Sequence, residues 1–183
     1  MAITDLDLSN VITSSRQIDL TALGHIFDAL SPQIYRYILF RLGDEVETQE
    51  MVIEVFNRLL QTLKHRPKSI DDPQTWLFEI TRKLVEQLLS GADKSSPGRL
   101  AEQTDQTGAA QGIGQDETAW LGLLVRQSMH KLLPDQQHLL ALRFAGRYAP
   151  DEIARIMEKS INDVKGLQLD ALMSLRSQLE REA

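Results

Sequence analysis

The sequence contains no cysteine, few aromatic residues and no long hydrophobic run. Without cysteine among its 183 residues, the chain can form neither disulfides nor catalytic thiolates. No apolar stretch approaches the roughly 20 residues that span a bilayer. The first residues, MAITDLDLSN, are acidic and lack the basic region of a secretory signal. We therefore expect a cytoplasmic protein with no membrane segment.

A strong basic charge is also missing. The formal net charge is −6, and the most basic region, residues 118–183, holds nine basic side chains against eight acidic ones. A protein that binds nucleic acid tightly by itself usually carries a clearly basic surface. The composition therefore argues against an autonomous, tight DNA binder. A protein that a larger partner brings to DNA would need less basic charge.

Residue patterns typical of catalysis or metal binding are absent. The histidines are far apart and form no HExxH pair; they are His25, His65, His130 and His138. The glycines of "GAAQGIG" (108–114) have no following Lys-Ser/Thr, so they do not form a phosphate loop. The acid pairs Asp71-Asp72 and Asp151-Glu152 fall at predicted helix starts, where carboxylates favour the positive end of the helix dipole. We expect no catalytic residue, no metal site and no cofactor.

Apolar residues recur at helical spacing through most of the chain, which predicts an all-α fold. The predicted helices fall within 20–42, 47–63, 74–89, 118–133, 134–145, 150–157 and 160–177. Ser31-Pro32 predicts that a helix restarts inside the first range, and Gly43-Asp44 predicts its end. Asp72-Pro73 predicts another helix start. Ser160 and Asp163 have the spacing of a capping box before the last helix.

Residues 90–117 differ in composition from the rest. They are rich in Gly, Ser, Gln and Ala and contain almost no large apolar residue, which is typical of a flexible linker. The predicted organisation is a leader (1–19), a small helical domain (20–89), this linker (90–117) and a second small helical domain (118–183). The second domain ends in a predicted helix-turn-helix.

Three stretches resemble bacterial RNA polymerase sigma factors of the extracytoplasmic-function (ECF) type. "SPQIYRYILFRLGDEVETQEMVIEVFNRLLQTL" resembles the second sigma domain, and "DPQTWLFEITRKLVEQLL" is similar to the segment that melts and reads the minus-ten promoter element. "LPDQQHLLALRFAGRYAPDEIARIMEKSINDVKGL" resembles the fourth sigma domain, which reads the minus-thirty-five element. The resemblance covers roughly 20–89 and 118–180. It implies a protein that binds core RNA polymerase and promoter DNA, and that an anti-sigma factor could regulate.

The resemblance also implies roles for particular residues. The acidic helix of the family docks on the clamp helices of the largest polymerase subunit, and the corresponding acids here are Asp44, Glu47, Glu50 and Glu54. Trp76, Arg82 and Lys83 would contact the melted strand by stacking and phosphate contacts. The residues expected near the major groove or its phosphates are Arg147, Ser160, Asn162, Lys165 and Arg176.

The chain departs from the family pattern mainly at its DNA-contact positions. The recognition helix usually continues with several arginines, whereas here the sequence has Gly166, Leu167, Asp170, Leu172, Met173 and Ser174. The basic cluster after the minus-ten helix is reduced to Lys94, and Glu158 replaces the usual glycine before the recognition helix. The acids that dock on polymerase are better kept. We expect Leu167, Asp170 and Met173 to lie near the groove if this helix still contacts DNA.

Two other interpretations remain open beside the sigma factor. A sigma-like module without DNA contact would use the apolar face around Leu169, Leu172 and Met173 to bind an anti-sigma factor, polymerase or a second copy of the chain. A plain helix-turn-helix regulator is the third, but it leaves the acidic helix unexplained.

Overall fold

The computed structural model of the protein describes residues 20–65, 70, 72–92, 122 and 124–182, which form helices joined by short turns. The helices are α1 (Leu20–Leu42), α2 (Glu45–His65), α3 (Pro73–Ala92), α4 (residues 124–130), α5 (Pro134–Leu140), a π-helical segment (Ala141–Ala145), α6 (Pro150–Ile156) and α7 (Ile161–Glu182). The predicted all-α fold is confirmed. Within the described ranges, no helix is long and apolar enough to cross a membrane.

Helices α1, α2 and α3 pack together and form the N-terminal half. The stripe of α1 buries Ile26, Leu30, Ile34 and Ile38, each at most 2% exposed. Since this stripe continues through Pro32, α1 does not restart at Ser31-Pro32 as predicted but runs unbroken from Leu20 to Leu42. Proline removes a single backbone donor. Continuous burial on both sides of it outweighs that loss.

The other helix boundaries in the N-terminal half follow the predicted signals. Gly43 adopts φ +78° after α1, a left-handed conformation that glycine takes without steric cost. An added Cβ at Gly43 would also collide with the guanidinium of Arg126. Asp72 caps α3 because its Oδ1 accepts the backbone N–H of Gln74 at 2.9 Å. Helix α3 continues to Ala92, slightly beyond the predicted start of the linker.

The C-terminal half contains α4 to α7, and its turns are tightly specified. Helix α6 ends in a Schellman motif, in which Lys159 N–H bonds to Ala154 C=O at 2.9 Å and Glu158 N–H to Arg155 C=O at 3.2 Å. Glu158 itself has φ +52°. It therefore occupies the left-handed position that glycine fills most easily, which accounts for the glycine expected there from the family pattern.

The start of α7 confirms the predicted capping box. Ser160 Oγ accepts the Asp163 backbone N–H at 3.1 Å, and Asp163 Oδ2 accepts the Ser160 N–H at 3.3 Å and its hydroxyl at 2.7 Å. These bonds hold the pKa of the exposed Asp163 carboxyl below its usual range. Val164 and Ala171 are fully buried, so one face of α7 packs against the interior.

The predicted leader (1–19) and nearly all of the predicted linker, with Lys94, lie outside the described residues. The buried side chains of the two halves nevertheless form one continuous cluster, from Ile26 in α1 to Ala171 in α7. Phe78 of α3 meets Tyr148 edge-on at 5.4 Å between ring centroids. The described halves therefore pack against each other directly, while the division into two domains stays a prediction.

Candidate interaction surfaces

The acidic surface of α2 combines a capping acid, Asp44, with three glutamates that are half-buried or exposed. Asp44 is half-buried and caps α2, since its Oδ1 accepts the Glu47 backbone N–H at 2.8 Å. Glu47 is half-buried in the first turn, whereas Glu50 and Glu54 are exposed. Glu54 pairs with Arg58 at 2.8 Å, one turn along the helix. Because residues three and four apart share a helix face, the three glutamates form one acidic surface.

Two exposed apolar side chains lie on α2 as well. Val46 is 66% and Ile53 is 62% exposed. On the opposite side, Val55, Phe56 and Leu59 are buried against α1 and α3. The exposed surface of α2 therefore combines carboxylates with isolated apolar side chains, a composition suited to protein binding rather than to DNA phosphates.

The predicted strand-reading residues of α3 have quite different surroundings. Trp76 is half-buried and packs against the hydrophobic core, which favours a structural role in this arrangement. Lys83 is exposed and pairs with Glu79 at 2.5 Å. Arg82 is half-buried between two carboxylates, at 2.8 Å from Glu86 and 2.9 Å from Asp135. The guanidinium of Arg82 is thus already engaged.

The partner Asp135 belongs to the C-terminal half and joins a small ionic cluster. Its second carboxylate oxygen lies 3.2 Å from Lys159 Nζ. Partial burial would raise the pKa of the Asp135 carboxyl, but the hydrogen bonds and positive charges of Lys159 and Arg82 outweigh burial and lower it. Asp135 is therefore held as a carboxylate. It binds the guanidinium of Arg82, the group that the resemblance assigns to a phosphate contact.

The predicted groove-contacting residues of α7 share one helix face. Asn162, Lys165 and Arg176 are exposed and fall within a narrow arc at 100° per residue. The Arg176 side chain is 81% exposed and pairs with Glu180 at 2.7 Å. Ser160 is exposed, although its hydroxyl is engaged in the cap. Arg147 is also exposed but lies in the turn before α6, with φ +59°.

An apolar centre separates the cations of α7. Leu169 is 60%, Leu172 38% and Met173 63% exposed, and all three lie on the face of Lys165 and Arg176. Asp170 is exposed at the edge of this face. Leu167, expected near the groove, instead is half-buried and packs against the core. The α7 surface is therefore apolar in the middle, with one cation on each side along the helix.

Sequence reasoning missed the contact between the halves. Tyr37 Oη and His138 Nδ1 are 2.7 Å apart, and Arg41 Nη2 donates to Gln137 Oε1 at 2.6 Å. Arg155 pairs with Asp72 at 2.7 Å. No local pattern marks these residues, since the partners are about 80 to 100 positions apart in the chain. Among the described residues, no group of histidines and acids could hold a metal ion.

Known proteins similar to this chain are sigma factors. No protein-family model matches the sequence. The ECF RNA polymerase sigma factor BldN of Streptomyces coelicolor is 30% identical over 167 residues, which cover 88% of this chain and 62% of BldN. The ECF RNA polymerase sigma factor SigX of Bacillus subtilis is 24% identical over 161 residues, covering 85% of this chain and 82% of SigX.

Solved structures share the fold at lower sequence identity. CnrH, solved in complex with the cytosolic domain of CnrY, has a TM-score of 0.62 at 16% identity and covers 98% of this chain and all of CnrH. The sigma factor RpoE from Bartonella quintana, solved with the anti-sigma factor NepR, has a TM-score of 0.54 at 16% identity, with 86% of this chain and 96% of RpoE covered.

Fold and surfaces together define an all-α protein whose second half contains a helix-turn-helix formed by α6 and α7. The sequence likeness extends through both halves in the same order. In sequence, the chain is similar to ECF RNA polymerase sigma factors over most of its length. It spans 62% of the length of its Streptomyces relative.

Proposed function

We propose that the chain is an ECF sigma factor that binds core RNA polymerase and directs it to promoters. The observation that carries the proposal is the likeness to BldN, which runs through both halves over 167 residues. A likeness confined to the helix-turn-helix would fit many DNA-binding proteins. A likeness that also includes the acidic helix α2 favours a polymerase subunit.

In this proposal, each surface has a separate task. The exposed acids Glu50 and Glu54, with Val46 and Ile53 beside them, bind the clamp helices of the largest polymerase subunit. Helix α3 contacts the melted minus-ten strand through Arg82 and Lys83, with Trp76 as its aromatic residue. Helix α7 faces the minus-thirty-five element. The protein supplies binding and positioning rather than catalysis, and it acts in the cytoplasm, where polymerase and DNA are found.

Polymerase supplies most of the affinity for DNA in this proposal. The chain carries a net charge of −6, and among the described residues the α7 face proposed to meet the groove carries two cations, Lys165 and Arg176. Each neutralised phosphate contributes to affinity through counterion release, so two cations give weak binding alone. We therefore expect promoter selectivity in the complex with polymerase and little DNA binding by the free chain.

Co-purification with core polymerase followed by run-off transcription tests the proposal. We expect a stable complex and a transcript that starts at one defined position on a promoter library. Core polymerase without the chain is the control. A folded chain that neither binds core polymerase nor directs initiation would contradict the proposed function.

The apolar centre of α7 favours a second candidate, a module that binds another protein with this face. Leu169 and Met173 are each at least 60% exposed, and contiguous exposed apolar surface often marks a protein interface. The partner proposed here is an anti-sigma factor, because RpoE, which shares the fold, was solved with the anti-sigma factor NepR. Loss of the partner after α7 substitution, with unchanged transcription, would support this role.

A further inference from the structure

The outer side of α7 carries a glycine and apolar side chains at regular helical spacing. Asn162, Gly166, Leu169 and Met173 follow one another at intervals of four, three and four residues. These intervals place them within an arc of about 60° at ~100° per residue. All four residues are exposed, whereas Val164 on the opposite side is fully buried. The set Asn162, Gly166, Leu169 and Met173 is called the α7 front face below.

The fold holds the α7 front face in a fixed position. Ser160 Oγ accepts the Asp163 backbone N–H at 3.1 Å and caps the first turn. Val164 and Ala171 are buried on the side of α7 that packs against α5 and α6. A helix held at its cap and along its buried side presents its outer side chains ready for binding, which lowers the entropy cost of association.

The glycine of this face is not required by the packing of the described residues. Gly166 lies within α7, and a Cβ added there would meet no atom within 4 Å. Alanine would therefore fit, and it would stabilise the helix, because glycine is the poorer helix former. Glycine is also used where a backbone lies close to a ligand. The open space at Gly166 fits that use.

The chemistry of the α7 front face matches the edge of A·T base pairs in the major groove. Thymine presents a C5-methyl group there, which apolar side chains contact, and adenine accepts a bidentate contact from Asn or Gln. Leu169 and Met173 are 60% and 63% exposed and supply the apolar surface, while Asn162 supplies the amide. Asp170, exposed at the edge of the face, suits the amino group of cytosine rather than a phosphate.

The cations beside this face fit the phosphate walls of the groove. Lys165 and Arg176 are eleven residues apart, which is about 16 Å along the helix at ~1.5 Å per residue. The major groove is about 12 Å wide, so both side chains can reach phosphates while Leu169 and Met173 between them meet base edges. Arg176 pairs with Glu180 in the free chain, but both side chains are exposed and such a pair is readily exchanged.

We propose that α7 reads thymine methyl groups of the minus-thirty-five element, with Gly166 admitting the helix backbone close to the bases and Leu169 and Met173 covering the C5-methyl groups. The inference rests on the proposed function, in which α7 faces that element. It adds the feature of the bases that is recognised, an apolar group rather than a guanine edge bound by arginine. The selected element therefore contains A·T pairs at the positions that these two side chains contact.

Replacement of thymine by uracil in the promoter tests methyl recognition, since the two bases differ only in the C5-methyl group. The promoter selected in the run-off assay is made with single deoxyuridine replacements across the minus-thirty-five element. Binding of the complex with core polymerase is measured by fluorescence anisotropy of labelled DNA. We expect about fourfold weaker binding for each contacted methyl group that is removed. The same replacement between the two promoter elements is the DNA control and should have no effect.

Alanine variants assign the methyl effect to particular side chains. Leu169→Ala and Met173→Ala remove apolar contact without adding charge. In each variant the preference for thymine should disappear at the position that the residue contacts and persist at the other. Leu133→Ala is the matched control, because Leu133 is 65% exposed in the same half but lies outside α7. It should keep the full preference at both positions.

Gly166→Ala tests the close approach of the helix backbone. The free variant should be slightly more stable, because alanine favours the helix and the new Cβ meets nothing. Promoter binding with core polymerase should weaken about tenfold, since the Cβ would be forced against the bases. Gly24→Ala in α1 is the matched control, since a Cβ there also meets no atom within 4 Å. It should raise stability similarly and leave promoter binding unchanged.

The outcomes separate this inference from the proposed function. A chain that binds no core polymerase, or directs no initiation, refutes the proposed function and the inference with it. Promoter selection with equal affinity for thymine and uracil throughout the element overturns the inference alone, as does a selected element without A·T pairs. A methyl effect that survives in both alanine variants assigns it to other residues and also overturns the inference. If the α7 front face binds only an anti-sigma factor, Leu169→Ala weakens that complex and leaves promoter binding unchanged, with the same consequence.

Discussion

The predicted contact residues are engaged by other side chains in the N-terminal half and exposed in the C-terminal half. In the N-terminal half, Arg82 is bound by two carboxylates and Trp76 is packed against the core. In the C-terminal half, Lys165 and Asn162 are exposed on one face of α7. Both sets were assigned by the same resemblance. Residue type identifies a candidate contact, but packing decides whether it is available.

The halves also differ in what their exposed helices offer to a partner. Helix α2 presents acids with isolated apolar residues, whereas α7 presents a contiguous apolar centre between two cations. A carboxylate surface suits a basic partner and repels DNA. The α7 surface could meet either DNA or a protein. The N-terminal half is therefore the better indicator of polymerase binding, and the C-terminal half needs an experiment.

The largest effect is expected from reversing the acids of α2. Glu50→Lys with Glu54→Lys should weaken binding to core polymerase by about 100-fold, since close interfacial charge pairs often contribute a few kcal/mol. Stability should change by less than about 1 kcal/mol, because both residues are exposed. Affinity can be measured by fluorescence anisotropy of labelled protein.

The matched control reverses two exposed acids elsewhere, Asp28→Lys with Asp151→Lys, and changes the net charge equally. Its polymerase affinity should stay close to that of the wild type. Equal affinities for the α2 variant and this control would remove the main support for the sigma-factor proposal.

Acid should loosen the contact between the halves. Burial, helped by the charges of Arg82 and Arg41, lowers the pKa of His138 to about 3, although Asp135 acts in the opposite sense. The folded state thus binds fewer protons than an unfolded state with an ordinary histidine pKa of about 6.5. Stability should be greatest above pH 6.5 and fall below it, by about 2 kcal/mol at pH 5.

Urea unfolding between pH 5 and 7.5 measures this dependence. The window lies above the ordinary pKa values of Asp and Glu, about 3.9 and 4.3, which limits the contribution of the acids. His138→Gln should be less stable at pH 7.5, because the bond to Tyr37 is altered, and its stability should vary less with pH. An equally steep pH dependence in this variant would assign the effect to other groups.

The two interpretations of α7 predict opposite results from one variant. Leu167 was expected near the groove but packs on the core, so the informative variant is Leu169→Arg with Met173→Arg at two exposed positions. If α7 contacts DNA, holoenzyme binding to promoter DNA should strengthen, with a salt dependence steeper by about one logarithmic unit for each additional phosphate that the new arginines neutralise. If α7 binds a protein, that complex should weaken.

The control variant for α7 also replaces two apolar residues of the C-terminal half by arginine. Leu133→Arg with Phe144→Arg also replaces exposed apolar residues, which are 65% and 53% exposed. It should leave the salt dependence of DNA binding unchanged. Identical slopes for the α7 variant and this control would refute DNA contact by the apolar centre of α7.

The smallest effect is expected at the turn before α7. Glu158→Gly removes the strain of a left-handed residue at φ +52°, although the more flexible unfolded chain offsets part of the gain. We expect a net stabilisation of about 0.5 kcal/mol. Thermal unfolding against Glu158→Ala, which keeps the strain, provides the comparison. Equal melting temperatures would show that this turn is not strained.

Much of the secondary structure could be predicted because its signals are local. Asp72-Pro73 and the Ser160/Asp163 box mark helix starts through bonds within a few residues. The helix restart predicted at Ser31-Pro32 was wrong, because buried residues on both sides of Pro32 hold α1 in one continuous helix. The predicted acids of α2 are on the surface, with Asp44 used as a cap. The ion pair between Arg82 and Asp135 could not be predicted, because the residues around each of them give no sign of a partner so far along the chain.

The sequence by itself determined the helices, their caps, the absence of cysteine chemistry and the family resemblance. These features depend on residue type and on spacings of one to four residues, which can be seen in the sequence itself. Only the tertiary structure decided that Leu167 is inward while Leu169 and Met173 are exposed, and that Arg155 and Asp135 cover α3. Such contacts join residues far apart in the chain. Their formation depends on the packing of the whole core rather than on any local pattern.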